Sequence, residues 1–288
     1  MEVQSKNPEQ GSASASVASV AEPGVLELQA IACSDPGRKR HNNEDNYLVL
    51  DLSRGQTYEK EKEVRVDIQS AKMLLAVADG MGGHRSGEVA SRACVENLSK
   101  AIMKALPNGN AAPDDARRAL VESVEQTNRV IHELAGQNPE YEGMGTTLTA
   151  VLLLGTHALV AQVGDSRAYL LRGKTMTQLT RDQTVGNSLL ELQPNAVIND
   201  NLSSMLSQAV GIEDHVDVAV TNTDLEAGDI LLLCSDGLTK TVKNDEVSEI
   251  GQHQASIRAK AETLIARANE NGGPDNVTVV MSEVRRKD

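Results

Sequence analysis

Five short acidic stations along the chain carry residue types suited to chemistry. They are Asn43-Glu44-Asp45, Asp79-Gly80, Gly164-Asp165-Ser166, Ser235-Asp236-Gly237 and Pro274-Asp275-Asn276. Three follow, or nearly follow, an apolar run of strand length, and Asp275 precedes one. Asp and Gly dominate turns, so any one station reads equally well as a turn. Five turns that each flank a buried strand point instead to one shared centre. Buried carboxylates are costly, and mutually repelling ones more so, unless a cation joins them. An oxygen-only ligand set suits hard divalent ions such as Mg2+ and Mn2+. No His-x-x-x-His or Cys-x-x-Cys pair offers a zinc site.

The run VADGMGGH, Val77 to His84, ends an apolar stretch with a single acid and three nearby glycines. That layout carries Asp79 on a strand into a loop whose backbone can approach a metal or ligand closely. Arg40 closes the basic cluster Arg38-Lys39-Arg40, just before Glu44-Asp45. It reads either as a solvated loop charge or as a planar fork that clamps two oxygens of a phosphoryl group. Clustered carboxylates for metals, together with an arginine, point to phosphate chemistry.

These stations need rigid elements to position them. Apolar runs of strand length recur at Leu26–Cys33, Met73–Ala78, Thr147–Leu154, Ala158–Val163, Ala168–Leu171, Ile230–Cys234 and Val277–Met281. Short connections predict antiparallel neighbours. One hairpin is expected through Gly155-Thr156-His157 and another through Gly164-Asp165-Ser166. Helical periodicity covers two stretches between Ser86 and Gln137, the second starting at Pro113-Asp114 with Leu120, Val121, Val124, Ile131 and Leu134 on one face. A third helix is expected from about Gln254 to Ala268, ending at Gly272-Gly273-Pro274. Hairpin groups with inserted helices indicate an α+β domain, and strands this apolar need two packed sheets with helices outside.

Residues 1–24, with SASASVASVAEPG, read as a low-complexity tail, and the folded domain is expected to span 25–288. With 40% hydrophobic residues but no Phe or Trp, the core must be aliphatic. The net charge of -13 and the four Tyr argue against a nucleic-acid partner. Cys33, Cys94 and Cys234 lie in apolar or helical runs, so buried free thiols are expected. No signal peptide or membrane span is visible, and a cytoplasmic location is expected.

The motifs occur in the order Arg40-x-x-Asn43-Glu44-Asp45, Asp79-Gly80-Met81-Gly82-Gly83-His84, Gly145-Thr146-Thr147, Gly164-Asp165-Ser166-Arg167, Ser235-Asp236-Gly237-Leu238 and Asp275-Asn276-Val277-Thr278. In that order, over about Leu26 to Val284, they resemble a bacterial metal-dependent protein phosphatase of the protein phosphatase 2C family. The resemblance implies a central antiparallel β-sandwich flanked by pairs of α-helices. It implies that Asp79 bridges two Mn2+ or Mg2+ ions, with Asp236 and Asp275 completing the shell of the first. The Gly80 carbonyl would bind the second ion, Glu44 and Asp45 would hold its waters, and Arg40 would receive the phosphate. Asp165, with Asp236, would hold a third, weaker ion. Two cations would lower the pKa of a water between them and make it a nucleophile for in-line attack at phosphorus, with no covalent phospho-enzyme. The implied substrates are phosphoserine and phosphothreonine proteins, with a bacterial Ser/Thr kinase and its targets as partners.

Three departures stand out. Met81 replaces a histidine common in eukaryotic members, which leaves His84 nearby as a loop residue rather than an obvious acid. Gln183 stands where relatives carry a titratable His. The charged stretch Asp51 to Gln69 is expected to be a surface excursion, and Gln183 to Ser207 to form the variable flap beside the site. A catalytically dead binding module and a phosphatase devoted to one regulatory partner are the alternative readings.

Overall fold

The computed structural model describes residues 25–82 and 86–287; the tail assigned to residues 1–24, Gly83 and His84 lie outside them. Two antiparallel sheets stack face to face. In spatial order the first is Thr175–Gln178, Arg167–Arg172, Ile230–Cys234, Val277–Arg286, Leu26–Asp35 and Val64–Asp67. The second runs Ala219–Asp224, His157–Val163, Leu148–Leu154, Lys72–Met81, Asp45–Asp51 and Gln56–Thr57, with Gly145–Thr146 paired to the end of Lys72–Met81.

Side-chain alternation divides each central strand between two cores. Along Lys72–Met81, Met73, Leu75 and Val77 enter the core between the sheets, where Leu28, Val151, Leu231 and Val280 meet them. Leu74, Ala76 and Ala78 face the opposite way, against helices α1 (Ser86–Ala105) and α2 (Pro113–Gln137). Across the molecule, Ile31, Leu232, Val279 and Met281 pack beneath α6 (Asn244–Gln252) and α7 (Ile257–Glu270). Three aliphatic layers thus join helices, sheet, sheet and helices, the α+β sandwich expected from strands apolar on both faces.

Most expected elements form within a few residues. Leu120, Val124 and Ile131 of α2 are buried, as are Ile257, Ala261, Leu264 and Ala268 of α7. α7 starts later than its periodicity implied because the Ser256 hydroxyl caps it, accepting from Ala259 N at 3.2 Å. The hairpin at Gly155-Thr156 forms, with Gly155 at φ +64°.

Two expectations are corrected. Gly164-Asp165-Ser166 is not a hairpin turn. His157–Val163 stays in the second sheet, while Arg167–Arg172 pairs with Ile230–Cys234 in the first. The chain crosses between sheets there, held by Thr149 Oγ1 donating to Ser166 O at 2.7 Å and by Gln162 Nε2 reaching Gly164 O. The stretch Asp51 to Gln69 is a surface excursion only in part: residues 53–63 are exposed or half-buried, but its two ends enter the fold. Val64–Asp67 adds an edge strand beside Leu26–Asp35, and Val64 and Ile68 are buried in the inter-sheet core. Charged residues fill its exposed positions, which masked a short strand.

Ile68→Ala should therefore lower the unfolding free energy by about 2–5 kcal/mol in denaturant melts. A solvated excursion would leave it within about 0.5 kcal/mol of the parent.

Candidate metal centre

The alternation that builds the core also aims the acids. Asp79 follows Met73, Leu75 and Val77 in step, so it points into the mouth between the sheets. Its cross-strand partner is Asp45, which keeps step with Tyr47 and Val49 on that same face. Like charges directly opposite on one sheet face repel. From the first sheet, Ser235 and Asp236 follow the Ile230–Cys234 strand, and Asp275 precedes Val277–Arg286. Asp165 arrives on the crossover between sheets.

One cavity of about 580 Å3 is lined by Arg40, Glu44, Asp79, Gly80, Asp165, Asp236 and Asp275, with Met81 on its wall. Asp45 lies beneath it, only 6% exposed. All eight expected site residues are thus brought to one place. The flap supplies the facing wall through Met205, Leu206, Ser207 and Gln208, after α3 (Val185–Leu192) and α4 (Asp200–Ser204).

Polar residues fix the strand ends. Asp79 N donates to Thr147 Oγ1 at 3.0 Å, and Thr147 N and Thr146 Oγ1 both donate to Asp79 O. Ser235 donates across the sandwich to Asp45 Oδ2 at 2.7 Å, while Thr278 N donates to Ser235 Oγ. The Asn276 amide donates to Pro36 O and Asn42 O, and its Oδ1 accepts from Glu44 N at 2.8 Å. Gly80 needs its missing side chain: a Cβ there would stand 2.1 Å from Gly87 O at the start of α1 and 2.7 Å from Glu44 O. That close approach sets Glu44 beside the α1 N-terminus, where a carboxylate is favoured.

Gln183 replaces a titratable group with a clamp. It accepts from Gly164 N at 2.7 Å through Oε1, while its own N–H donates to Gly164 O at 2.9 Å. The Gly164-Asp165 loop is pinned on both sides. Ser235, Asn276, Gln183, Lys240 and His215, which lines the cavity from beyond the flap, were not assigned roles from sequence. Asn276 and Ser235 adjoin the acidic stations, and that adjacency was the available signal.

Burial dominates the electrostatics. It pushes Asp45 up to about 7, against hydrogen bonds from Ser235 and Thr278, and Asp236 and Asp275 add to the rise. Asp79 is raised well above the usual carboxylate range by burial, then by Asp45, Asp236, Asp165 and Asp275. Asp165 reaches about 7 through burial and the charges of Asp236 and Asp182. Burial likewise raises Glu44, and Asp236 despite Lys240. Arg40 holds Asp275 at 2.8 Å (Nε to Oδ1) and 3.1 Å (Nη2 to Oδ2), a bidentate pair that raises the guanidinium's pKa further. Lys240 Nζ contacts Asp236 Oδ2 and lies 3.8 Å from Asp275 Oδ2.

Among the described residues, no three His, Cys, Asp or Glu side chains are drawn together as a closed metal cage. The carboxylates are held by hydroxyls and protein cations instead. They nevertheless fit hard cations on two observations. Asp45 Oδ1 and Asp236 Oδ1 are buried without a hydrogen-bond partner. Six carboxylates (Glu44, Asp45, Asp79, Asp165, Asp236, Asp275) meet two side-chain cations (Arg40, Lys240), so the ionised cluster carries four unbalanced negative charges. Two divalent ions match that excess.

Comparison with known proteins finds relatives over most of the chain. A family model described as Protein phosphatase 2C matches residues 63–274. A Listeria innocua protein named serine/threonine phosphatase stp is 36% identical over 253 residues, covering 87% of this chain and 93% of that protein. The Streptococcus agalactiae serine/threonine phosphatase structure superposes with a TM-score of 0.76 at 30% identity, over 89% of this chain and 99% of that one. The catalytic domain of PstP in complex with two manganese ions gives a TM-score of 0.72 at 35% identity, over 90% of this chain and 99% of that one.

Acids whose folded pKa is raised keep protons that the unfolded chain releases, so their contribution to stability falls as pH rises from about 4 to about 7. In EDTA the protein should melt lower at about pH 7.5 than at about pH 5.5, and Asp79→Asn should narrow the gap. Mn2+ should raise Tm more at the higher pH. Thermal melts in the four conditions check this, and equal Mn2+ shifts at both pH values would contradict it.

Proposed function

Because the chain belongs to the protein phosphatase 2C family, we propose that its acidic cleft is the active centre of a metal-dependent serine/threonine phosphoprotein phosphatase. The observation that carries the reading is the cross-strand pair Asp45 and Asp79 at the sandwich mouth, with Asp236 and Asp275 arriving from the other sheet. In this reading Asp79, Asp236 and Asp275 would hold one Mn2+ or Mg2+ ion, and Asp79 with the Gly80 carbonyl, and Glu44 and Asp45 through water, would hold a second. When bound, such a pair supplies Lewis acidity towards phosphoryl oxygens and an activated nucleophile at neutral pH.

The chain's own residues supply the rest. Arg40 stands at the rim, its side chain 51% exposed, where its fork can exchange Asp275 for phosphate oxygens. Ser235 and Thr147 fix the acids before substrate arrives, so little reorganisation is left for the reaction. The flap residues Met205 to Gln208 narrow the cleft over the phosphate site. Cys33, Cys94 and Cys234 are buried, consistent with their expected packing role and with a reducing, cytoplasmic setting. Among the described residues no helix is long and apolar enough to cross a membrane. Phosphoproteins are the proposed partners, a Ser/Thr kinase and its targets among them. The 25–288 unit is the proposed catalytic domain.

Phosphoserine and phosphothreonine peptides should release phosphate with Mn2+ and not with EDTA, and Asp236→Asn should fall to background. Equal turnover in that variant would leave a binding module as the better reading. Arg40→Ala should raise KM about 10- to 100-fold with a smaller change in kcat, as expected for losing a charge-assisted contact of about 1.5–3 kcal/mol. Steady-state kinetics decide, and an unchanged KM would remove Arg40 from phosphate binding.

A further inference from the structure

The mouth of the sandwich carries charges that the metal reading does not use. Three cations there are committed to acids: Arg40 to Asp275, Arg167 to Asp182, and Lys240, just after α5 (Asp236–Thr239), to Asp236. Arg38 and Lys39 are exposed, and among the described residues neither has an ion-pair partner. The loop that presents them is rigid. Gly37 sits at φ +80°, where a Cβ would stand 2.2 Å from Asp275 O, so only glycine fits. Gly37 N donates to Asp35 Oδ1 at 2.9 Å, and Arg38 N donates to Gly273 O at 2.8 Å. Asn269, near the end of α7, donates to the same Asp35 Oδ1. Both cations are thus held on the α7 side of the mouth, directly before Arg40. Consecutive Cα atoms stand about 3.8 Å apart, so Lys39 and Arg38 lie within about 8 Å of Arg40 along the backbone. An extended peptide advances about 3.3 Å per residue. Side chains next to a phosphorylated residue held by Arg40 therefore come within reach of both.

The opposite lip has the other sign. Ile212, Glu213 and His215 line the same cavity there, and Glu213 and Asp214 are exposed. Asn128 of α2 ties this lip down, its amide donating to Glu213 O at 2.9 Å and accepting from Gly211 N at 2.7 Å. The mouth is therefore basic on its α7 side and acidic on its α2 side. Those helices pack on opposite outer faces of the sandwich, so a peptide that crosses the cleft meets the two signs in turn.

We propose that the mouth selects phosphopeptides by the direction of their charge. It takes Asp or Glu beside the phosphorylated residue only on the side that meets Arg38 and Lys39, away from Glu213 and Asp214. This rests on the phosphatase reading above, with Arg40 at the phosphate. A chain of net charge -13 has an overall field that repels acidic peptides whichever way they lie, so a one-sided preference reports the local residues.

Initial rates with Mn2+ test it on three phosphothreonine peptides of otherwise neutral sequence. One carries no acid, one has two Glu before the phosphothreonine, and one has two Glu after it. One acidic peptide should exceed the neutral one about 3- to 10-fold in kcat/KM, mainly through KM, the range that two exposed charge pairs supply. The other should gain nothing. Raising NaCl to about 0.5 M should shrink the difference. Arg38→Gln/Lys39→Gln should lose the preference and keep its turnover of a small aryl phosphate, while Arg38→Lys/Lys39→Arg should retain both. Equal rates on all three peptides, a gain on both acidic ones, or a preference that survives in Arg38→Gln/Lys39→Gln would overturn the proposal and leave the phosphatase reading standing. Loss of the preference in Arg38→Lys/Lys39→Arg would do the same. Loss of aryl phosphate turnover in Arg38→Gln/Lys39→Gln would mark the pair as structural and also overturn it. No Mn2+-dependent turnover of any substrate by the parent would take the phosphatase reading down with it.

Discussion

The repulsion between Asp45 and Asp79 is the constraint around which this molecule is organised. Sheet register places them directly opposite on the face between the sheets, Asp45 buried and Asp79 half-buried at the cavity. A fold built only for stability would put an uncharged, apolar pair there, as it does further along the strands with Val49 and Leu75. The surrounding polar groups are responses to that cost. Ser235 reaches from the other sheet to solvate Asp45, Thr147 and Thr146 hold the Asp79 backbone, and Arg40 and Lys240 neutralise part of the charge. Three aliphatic layers supply the stability that this end gives up, a familiar exchange at functional sites.

The sequence made the sandwich legible where strands lie buried on both faces. Runs such as Met73–Ala78 and Thr147–Leu154 are apolar without alternation because α1 and α2 cover one side and the opposing sheet covers the other. Edge strands were illegible for the converse reason. Ala219–Asp224 and Thr175–Gln178 are mostly exposed and polar, and nothing in their composition separates them from loop. Asp45–Asp51 was missed although it carries a site acid, because its apolar stretch is only Tyr47 to Leu50 between acidic ends. The crossover at Gly164-Asp165-Ser166 failed differently. Its residues are turn formers either way, and the hydroxyl that holds the crossover, on Thr149, lies 17 residues before the Ser166 carbonyl it reaches.

Site residues divide along a similar line. The acids and glycines were readable because their chemistry is unusual beside an apolar strand. Their supports were not, because Ser235, Asn276 and Gln183 are ordinary polar residues until the fold brings loops together. Asn276 shows why. Its one side chain ties Pro36, Asn42 and Glu44 to the first sheet, so the loop carrying Arg40 and the loop carrying Asp275 are placed by a single amide.

The acids come from both sheets, so the spacing between sheets, more than any loop, sets the distances among them. Asp45 and Asp79 ride on one sheet and Asp236 and Asp275 on the other, and the Ser235–Asp45 hydrogen bond is one direct tie across the mouth. Behind that tie the inter-sheet layer is packed with Leu, Val, Ile, Met and Ala and holds no Phe or Trp. Close-packed aliphatic cores resist compression and transmit small shifts. A change in side-chain volume at Leu75 or Leu233 therefore alters the separation of carboxylates several residues away. The same layer that stabilises the domain also sets the gauge of its metal cleft, so packing and chemistry here share one set of residues.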